Sequence, residues 1–223
     1  MKRTDELAVE LNIAHAGKEN VSDFLCGPRL TPEVSVFLAF ETEVNVWGDV
    51  VGAFDQGDEV AGWASALFGR ELRLVRFDRE ARRLSSRDWT GGLEAPNRFS
   101  DGYPLLVVSR ASLDDLNSRL PVPLPMDRFR PNLVLEGLPP YGEDALRDLV
   151  ADGVRLRVVK PCTRCVITTT DQQAGAVAGD EPVRTLRAYR WDAGLRGVTF
   201  GQNTIVVDGV GRELSVGTIF APR

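Results

Sequence analysis

Apolar and polar residues alternate with a period of two through most of this chain, which predicts many short strands. Leu7, Val9, Leu11 and Ile13 alternate in this way, although the same positions suit a short helix, and Cys26-Gly27-Pro28 then marks a turn. Val34, Val36 and Leu38 form one strand pattern, and Val44 and Val46 form the next. From Gly57-Asp58 the period changes: Val60, Trp63, Ala64 and Leu67 share one face of a helix, and Gly69 stands where its C-terminal stop belongs. Leu72, Leu74, Val75 and Phe77 read as a strand, and residues 78–100 as a long loop rich in Arg, Asp, Gly and Pro.

A buried strand is expected over Tyr103–Val108, followed by a helix to about Leu120 that either Ser109 or Ser112 caps. Leu133–Leu135 is another short strand. Val154, Leu156 and Val158 face one way and Arg155 and Arg157 the other, giving a strand with one wet side that runs into Pro161-Cys162-Thr163-Arg164-Cys165. Val166–Thr170 reads as its returning partner, and 181–190 as a helix with Pro182 in its first turn. Two last strands, Asn203–Val207 and Glu213–Phe220, are joined by a Gly-rich turn. The fold class is therefore mainly β with a few short helices, an α+β chain built on a barrel or sandwich.

Composition narrows the function. The chain has 223 residues, with 27 Lys and Arg against 32 Asp and Glu, a net charge of −5 that excludes a strongly basic nucleic-acid binder. Its 43% hydrophobic and 26% charged residues are those of a globular protein. No apolar run approaches the ~20 residues of a membrane span, and Asp5, Glu6 and Glu10 stand where a signal peptide would be greasy. The expectation is a cytoplasmic protein without nucleic-acid or membrane partners. His15 is the single histidine, so zinc hydrolase, Ser-His-Asp and Cys-His chemistry would all have to rest on it.

Of three cysteines, Cys162 and Cys165 form a C-x-x-C pair. Zinc would need a second half-site, and a thioredoxin-type dithiol a following helix, where β-branched Val166–Thr170 stands instead. Two reduced thiols that merely pack are the plain alternative. Lys160 and Arg164 flank the pair, and nearby cations favour thiolate, a soft ligand that suits molybdenum or a persulfide. Upstream, Arg128-Phe129-Arg130-Pro131-Asn132 offers two arginines on one side of an extended chain, a fork for an oxyanion or else a solvated charged face.

Together, Arg128-Phe-Arg-Pro-Asn132, Tyr141-Gly-Glu-Asp144, the run Lys160-Pro-Cys-Thr-Arg-Cys-Val-Ile-Thr-Thr-Thr-Asp171 and Phe200-Gly-Gln202 resemble a MOSC domain. The family is named for the C-terminal domain of molybdenum cofactor sulfurase, and the nearest flavour is the amidoxime-reducing component group. The likeness covers about Tyr103 to Phe220. A weaker one, in Val44-x-Val-Trp-Gly-Asp49 and Gly57 to Phe77, is similar to the β-barrel domain that precedes MOSC in this group. The domains are accordingly an unmatched segment 1–33, a partial N-terminal-like domain 34–100 and a MOSC domain 101–223. Nothing in 1–33 matches the Lys-Ser and Asp-Arg strands with which such proteins begin.

The resemblance implies a β-barrel holding molybdenum-molybdopterin, with Cys165 as the metal's protein ligand and catalytic residue. It also implies that Ser109, Arg130, Asn132, Thr163 and Arg164 contact the cofactor. The activity it implies is reduction of N-hydroxylated small molecules by oxygen-atom transfer. Electrons would come from a separate ferredoxin or cytochrome b5 type protein with its reductase, there being no four-Cys module in this chain. The family name carries a pyridoxal phosphate association too, for which Lys160 is the only nearby lysine. A persulfide carrier using Cys165 and a cofactor-free member of the fold are the competing readings.

Overall fold

The computed structural model describes residues 7–10 and 40–222. Leu11, Ile13, His15, the expected turn at Cys26-Gly27-Pro28 and the strand over 34–38 lie outside those residues. In chain order the elements are β1 (Leu7–Glu10), β2 (Phe40–Val46), β3 (Asp49–Asp55), α1 (Asp58–Phe68), β4 (Val75–Phe77), α2 (Arg87–Thr90), β5 (Leu105–Ser109), α3 (Arg110–Arg119) and β6 (Leu133–Leu135). They continue with β7 (Asp148–Ala151), β8 (Val154–Thr163), β9 (Thr170–Asp171), β10 (Ala176–Val177), α4 (Val183–Arg187), β11 (Trp191–Asp192), β12 (Gly197–Asp208) and β13 (Thr218–Pro222). The described residues fall into two compact units, one of 40–85 and 96–102, the other of 7–10, 86–95 and 103–222.

In the smaller unit β2, β3 and β4 form an antiparallel sheet. The β2–β3 hairpin turns on Trp47 and Gly48, with φ of 56° and 98°, the paired positive angles that let a two-residue turn follow strand twist. Gly69 ends α1 in the left-handed conformation expected of it. The strand expected from Leu72 starts only at Val75, because the Leu72 N–H is taken by the Ser65 hydroxyl at 2.9 Å. The supposed loop over 78–100 is partly ordered by one buried cation. Arg83 donates to Asp49 and to the carbonyls of Arg98, Ser100 and Asp101, holding both arms of the segment.

In the larger unit a sheet closes on itself. β12 pairs with β5, β5 with β6, β6 with β1, β1 with β13, β13 with β7, β7 with β8, and β8 returns to β12. Every pairing is antiparallel except β5–β6, whose crossover is α3. Closure removes the open edges a sheet would otherwise expose. The period-two pattern sorts the core. Val107, Leu133, Leu135, Leu149, Leu156 and Phe220 pack inside the ring. Val108, Val134, Val198 and Phe200 face outward, under Leu113 and Leu116 of α3 and Leu186 of α4. This is an α+β fold with a β-barrel-like core.

Ser109 caps α3, its Oγ accepting the Ser112 N–H at 3.1 Å. Two expectations fail. Val166–Thr169 is a 3-10 turn rather than a returning strand, because the Thr168 and Thr169 hydroxyls bond back to the carbonyls of Cys165 and Val166 and close the turn. The strand expected over Glu213–Phe220 is only the short β13, which lies between β1 and β7, while β12 begins well before Asn203 and runs twelve residues.

Candidate functional site

The Cys segment is the continuation of β8. Thr163 pairs with Thr199, the Arg164 N–H donates to the Val198 carbonyl at 2.7 Å, and Cys165 is still extended at φ −103° and ψ −179°. An extended chain sends alternate side chains to opposite sides. The contact between Arg164 Nη1 and Cys162 Sγ, 3.1 Å, puts these two on one side. Thr163 and Cys165 therefore take the other. Three extended residues also separate the Cys162 and Cys165 Cα atoms by about 10 Å, beyond disulfide reach. The pair is thus neither a dithiol couple nor half a zinc site in this conformation. Cys165 is exposed and Cys162 partly covered.

Arg164 is locked in place. Besides Cys162 it donates to the Phe129 carbonyl at 2.7 Å, and its guanidinium carbon lies 5.6 Å from the Phe129 ring centre. That carbonyl belongs to the Arg128-Phe-Arg-Pro-Asn motif, which the sequence reading took as an extended fork. It is a 3-10 turn over Met126–Phe129 with Arg130 left-handed at φ 54°, so Arg128 is turned inward while Arg130 stays in solvent. The two guanidinium groups do not form one fork. Asn132 stands in for a strand residue: its N–H donates to the Leu106 carbonyl and its Oδ1 accepts the Leu106 N–H, each at 2.8 Å. The structure thus joins Thr163, Arg164 and Cys165 to the turn that carries Arg130, and fastens Asn132 to β5.

Ser109 lies apart from these bonds. It is fully buried, and its hydroxyl is spent on Ser112 while its N–H donates to Glu143 Oε1 at 3.2 Å. Glu143, also fully buried, accepts the Ser112 hydroxyl at 2.7 Å on its other oxygen. The next residue, Asp144, accepts Arg190 at 2.7 Å and Gln202 at 2.6 Å. The Arg190 carbonyl also accepts the N–H of Thr199, the residue opposite Thr163, while Arg190 Nε donates to the Thr199 carbonyl. Beside this group the Tyr141 hydroxyl bonds Asp115 and Tyr189, and burial pushes its phenol far up. These residues brace the strand to which the Cys segment is pinned. Tyr141-Gly-Glu-Asp144 and Phe200-Gly-Gln202, two of the motifs that carry the resemblance, thus meet in one brace.

One anomaly marks the site. Arg128 has a side chain only 5% exposed, and its Nη2 meets Asp171 at a long 3.3 Å. Among the described residues its Nε and Nη1 have no partner, nor have Asp127 Oδ1 and Arg164 Nε. Buried polar atoms are ordinarily paired, and a cluster of orphans marks a place where polar matter belongs. Asp171 is itself held below the usual carboxylate range, chiefly by the Ala174 and Gln173 N–H groups, with Arg128 adding to them. Among the described residues no three His, Cys, Asp or Glu side chains converge on a metal position. A metal held by Cys165 would have to arrive carrying its other ligands.

The model of the MOSC domain family matches residues 94–219, more than half of the chain. The chain belongs to the MOSC domain family. Within it, the chain is 37% identical over 151 residues to mitochondrial amidoxime-reducing component 1 of Mus musculus, covering 66% of this chain and 44% of that protein. With component 1 of Homo sapiens it shares 37% over 149 residues, covering 66% and 44%. With component 2 of Rattus norvegicus it shares 38% over 155 residues, covering 66% and 45%. The chain spans less than half the length of these MOSC relatives. The MOSC match contains β5 to β12 and the start of β13, with the turn at Arg130 and the Cys segment. Among the described residues no helix is long and apolar enough to cross a membrane.

Proposed function

We propose that this MOSC protein binds molybdenum-molybdopterin through Cys165 and reduces N-hydroxylated small molecules, drawing electrons from a separate protein. The observation that carries the reading is the exposed thiol of Cys165 just past the end of β8, on the side away from Cys162, in a segment that Arg164 fastens to the turn whose Arg128 has two guanidinium atoms without a partner among the described residues. A lone thiolate suits a metal that brings its own sulfur ligands, and unpaired guanidinium donors suit an anionic organic tail. The names of the relatives point to amidoximes as substrates.

When bound, the cofactor supplies two-electron oxygen-transfer chemistry. The chain supplies placement. Cys165 offers the ligand, Thr163 a hydroxyl on the same side, and Arg130 an exposed cation on the turn to which Arg164 fastens the segment. The Asn132 carbonyl is committed to Leu106, which leaves its amide NH2 for a ligand. Arg164 serves as the brace that keeps Cys165 extended, with its Nε as a further donor. In the net reaction the substrate N–O bond breaks, two electrons and two protons enter, and water leaves. In this reading residues 34–100 correspond to part of the β-barrel domain that precedes MOSC in this group.

The experiment is turnover of an amidoxime with a chemical electron donor, reduced methyl viologen, by protein from a host that makes the cofactor. Activity is expected in the native protein and in Cys162→Ser, and is expected to vanish in Cys165→Ser. Activity that survives Cys165→Ser refutes the ligand assignment. Inactive native protein bearing a labile extra sulfur on Cys165 by mass spectrometry would favour the persulfide carrier instead.

A further inference from the structure

The β8–β12 ladder is irregular where it meets α2. Val158 pairs with Thr204 and Lys160 with Asn203, so Val159 is an extra residue, a bulge that turns consecutive side chains to one side. Beside the bulge lies a cleft of about 200 Å³ lined by Trp89, Thr90, Gly91, Arg147, Arg157, Val158 and Val159. Its walls are fixed. Thr90 is buried with its hydroxyl on the Leu93 carbonyl, and Gly91 closes α2 in the left-handed conformation. The Val158 N–H holds the Arg147 carbonyl at 2.8 Å, and Arg157 is clamped to both oxygens of Asp148 at 2.9 and 3.0 Å.

Cations outnumber carboxylates there, Arg147, Arg157 and Lys160 against Asp148 and Asp88. Asp148 is already matched by Arg157, its carboxyl lowered by that bond and further by Arg155 and Arg147. Arg147 makes no side-chain bond or ion pair among the described residues and stands exposed at the cleft. Lys160 Nζ sits 4.9 Å from the Trp89 ring centre. A cationic cluster against an indole and two valines, on a chain of net charge −5, asks for an anion with an apolar body. The cleft is smaller than the roughly 300–1,000 Å³ of sites for larger ligands, which limits the guest to about one ring.

We propose that this cleft is a second binding site, for a small carboxylate with a flat apolar body. The carboxylate meets Arg147 and the body rests on Trp89, Val158 and Val159. The site is separate from Cys165: Val158 lies seven residues earlier, about 23 Å along an extended strand. It does not depend on the cofactor reading.

The test titrates the full chain with benzoate at about 0.15 M salt, following heat and tryptophan fluorescence. Benzyl alcohol, which has the ring without the charge, and inorganic phosphate, which has charge without a ring, run in parallel. Benzoate is expected to saturate one site and the other two to bind at least about tenfold more weakly. Arg147→Gln, an exposed change that leaves the fold intact by circular dichroism, is expected to weaken benzoate about tenfold. Arg130→Gln is expected to leave benzoate binding unchanged. The proposal is overturned if benzoate shows no saturable binding, if Arg147→Gln binds it as the native chain does, or if Arg130→Gln weakens it equally.

Discussion

Glu143 is fully buried, and its two oxygens meet the Ser109 N–H and the Ser112 hydroxyl at the start of α3. Because Ser112 gives its only hydroxyl proton to Glu143, Ser109 must donate to Ser112, and the Tyr141 N–H adds a third bond to that oxygen at 2.7 Å. Glu143→Ala strands two donors in a dry place and is expected to cost about 2–4 kcal/mol, read from urea midpoints at unchanged slope. Asp148 tests a different kind of bond. Its pKa lies below the ordinary 3.8 because Arg157 grips both oxygens. A depressed folded pKa gives stability that is present above the unfolded value and lost as pH falls through the folded one. Native protein should therefore weaken as pH drops below about 4, and Asp148→Asn should be less stable at pH 7 and lose less over that acid interval. An unchanged acid limb would mean the pair contributes nothing.

The Phe200-Gly201-Gln202 motif is best understood at the level of the strand. Between Thr199 and Gln202 the register of β12 against β8 shifts, and Gly201 takes φ 76° there. A Cβ on it would lie 2.6 Å from Val108 Cγ2 and 2.8 Å from the Val107 carbonyl oxygen. Gly201→Ala is expected to cost about 3 kcal/mol from strain and overlap together, and a scanning melt that matched the native chain would contradict it. Elements with a clear local cause were legible in the sequence: α1 up to Gly69, α3 after a serine cap that the structure settles as Ser109, and β6. What was not legible depended either on local turns that override strand composition or on partners remote in sequence. Val166–Thr170 has strand composition, yet its threonines find carbonyls three residues back. Arg128 and Arg130 satisfied a period-two rule that the 3-10 turn cancels. The motif that contains Cys165 was legible, whereas the brace of Glu143, Asp144, Arg190 and Gln202 behind it could not be assembled before the ring of strands was known.

Across the chain, closing the ring makes one strand, β8, serve two places. Its far end carries Cys165, and its bulge at Val159 faces the cationic cleft. Net charge and composition bounded this account by excluding a basic nucleic-acid binder, while the family followed from motifs alone. The account stands on Cys165 as the sole protein ligand of a metal that brings its other ligands with it. Molybdenum per chain, measured by elemental analysis together with the pterin released on denaturation, decides it. Protein from a cofactor-competent host should carry about one equivalent of each, keep them in Cys162→Ser and lose the metal in Cys165→Ser. Native protein devoid of molybdenum, or equal loss from both serine variants, would contradict the account.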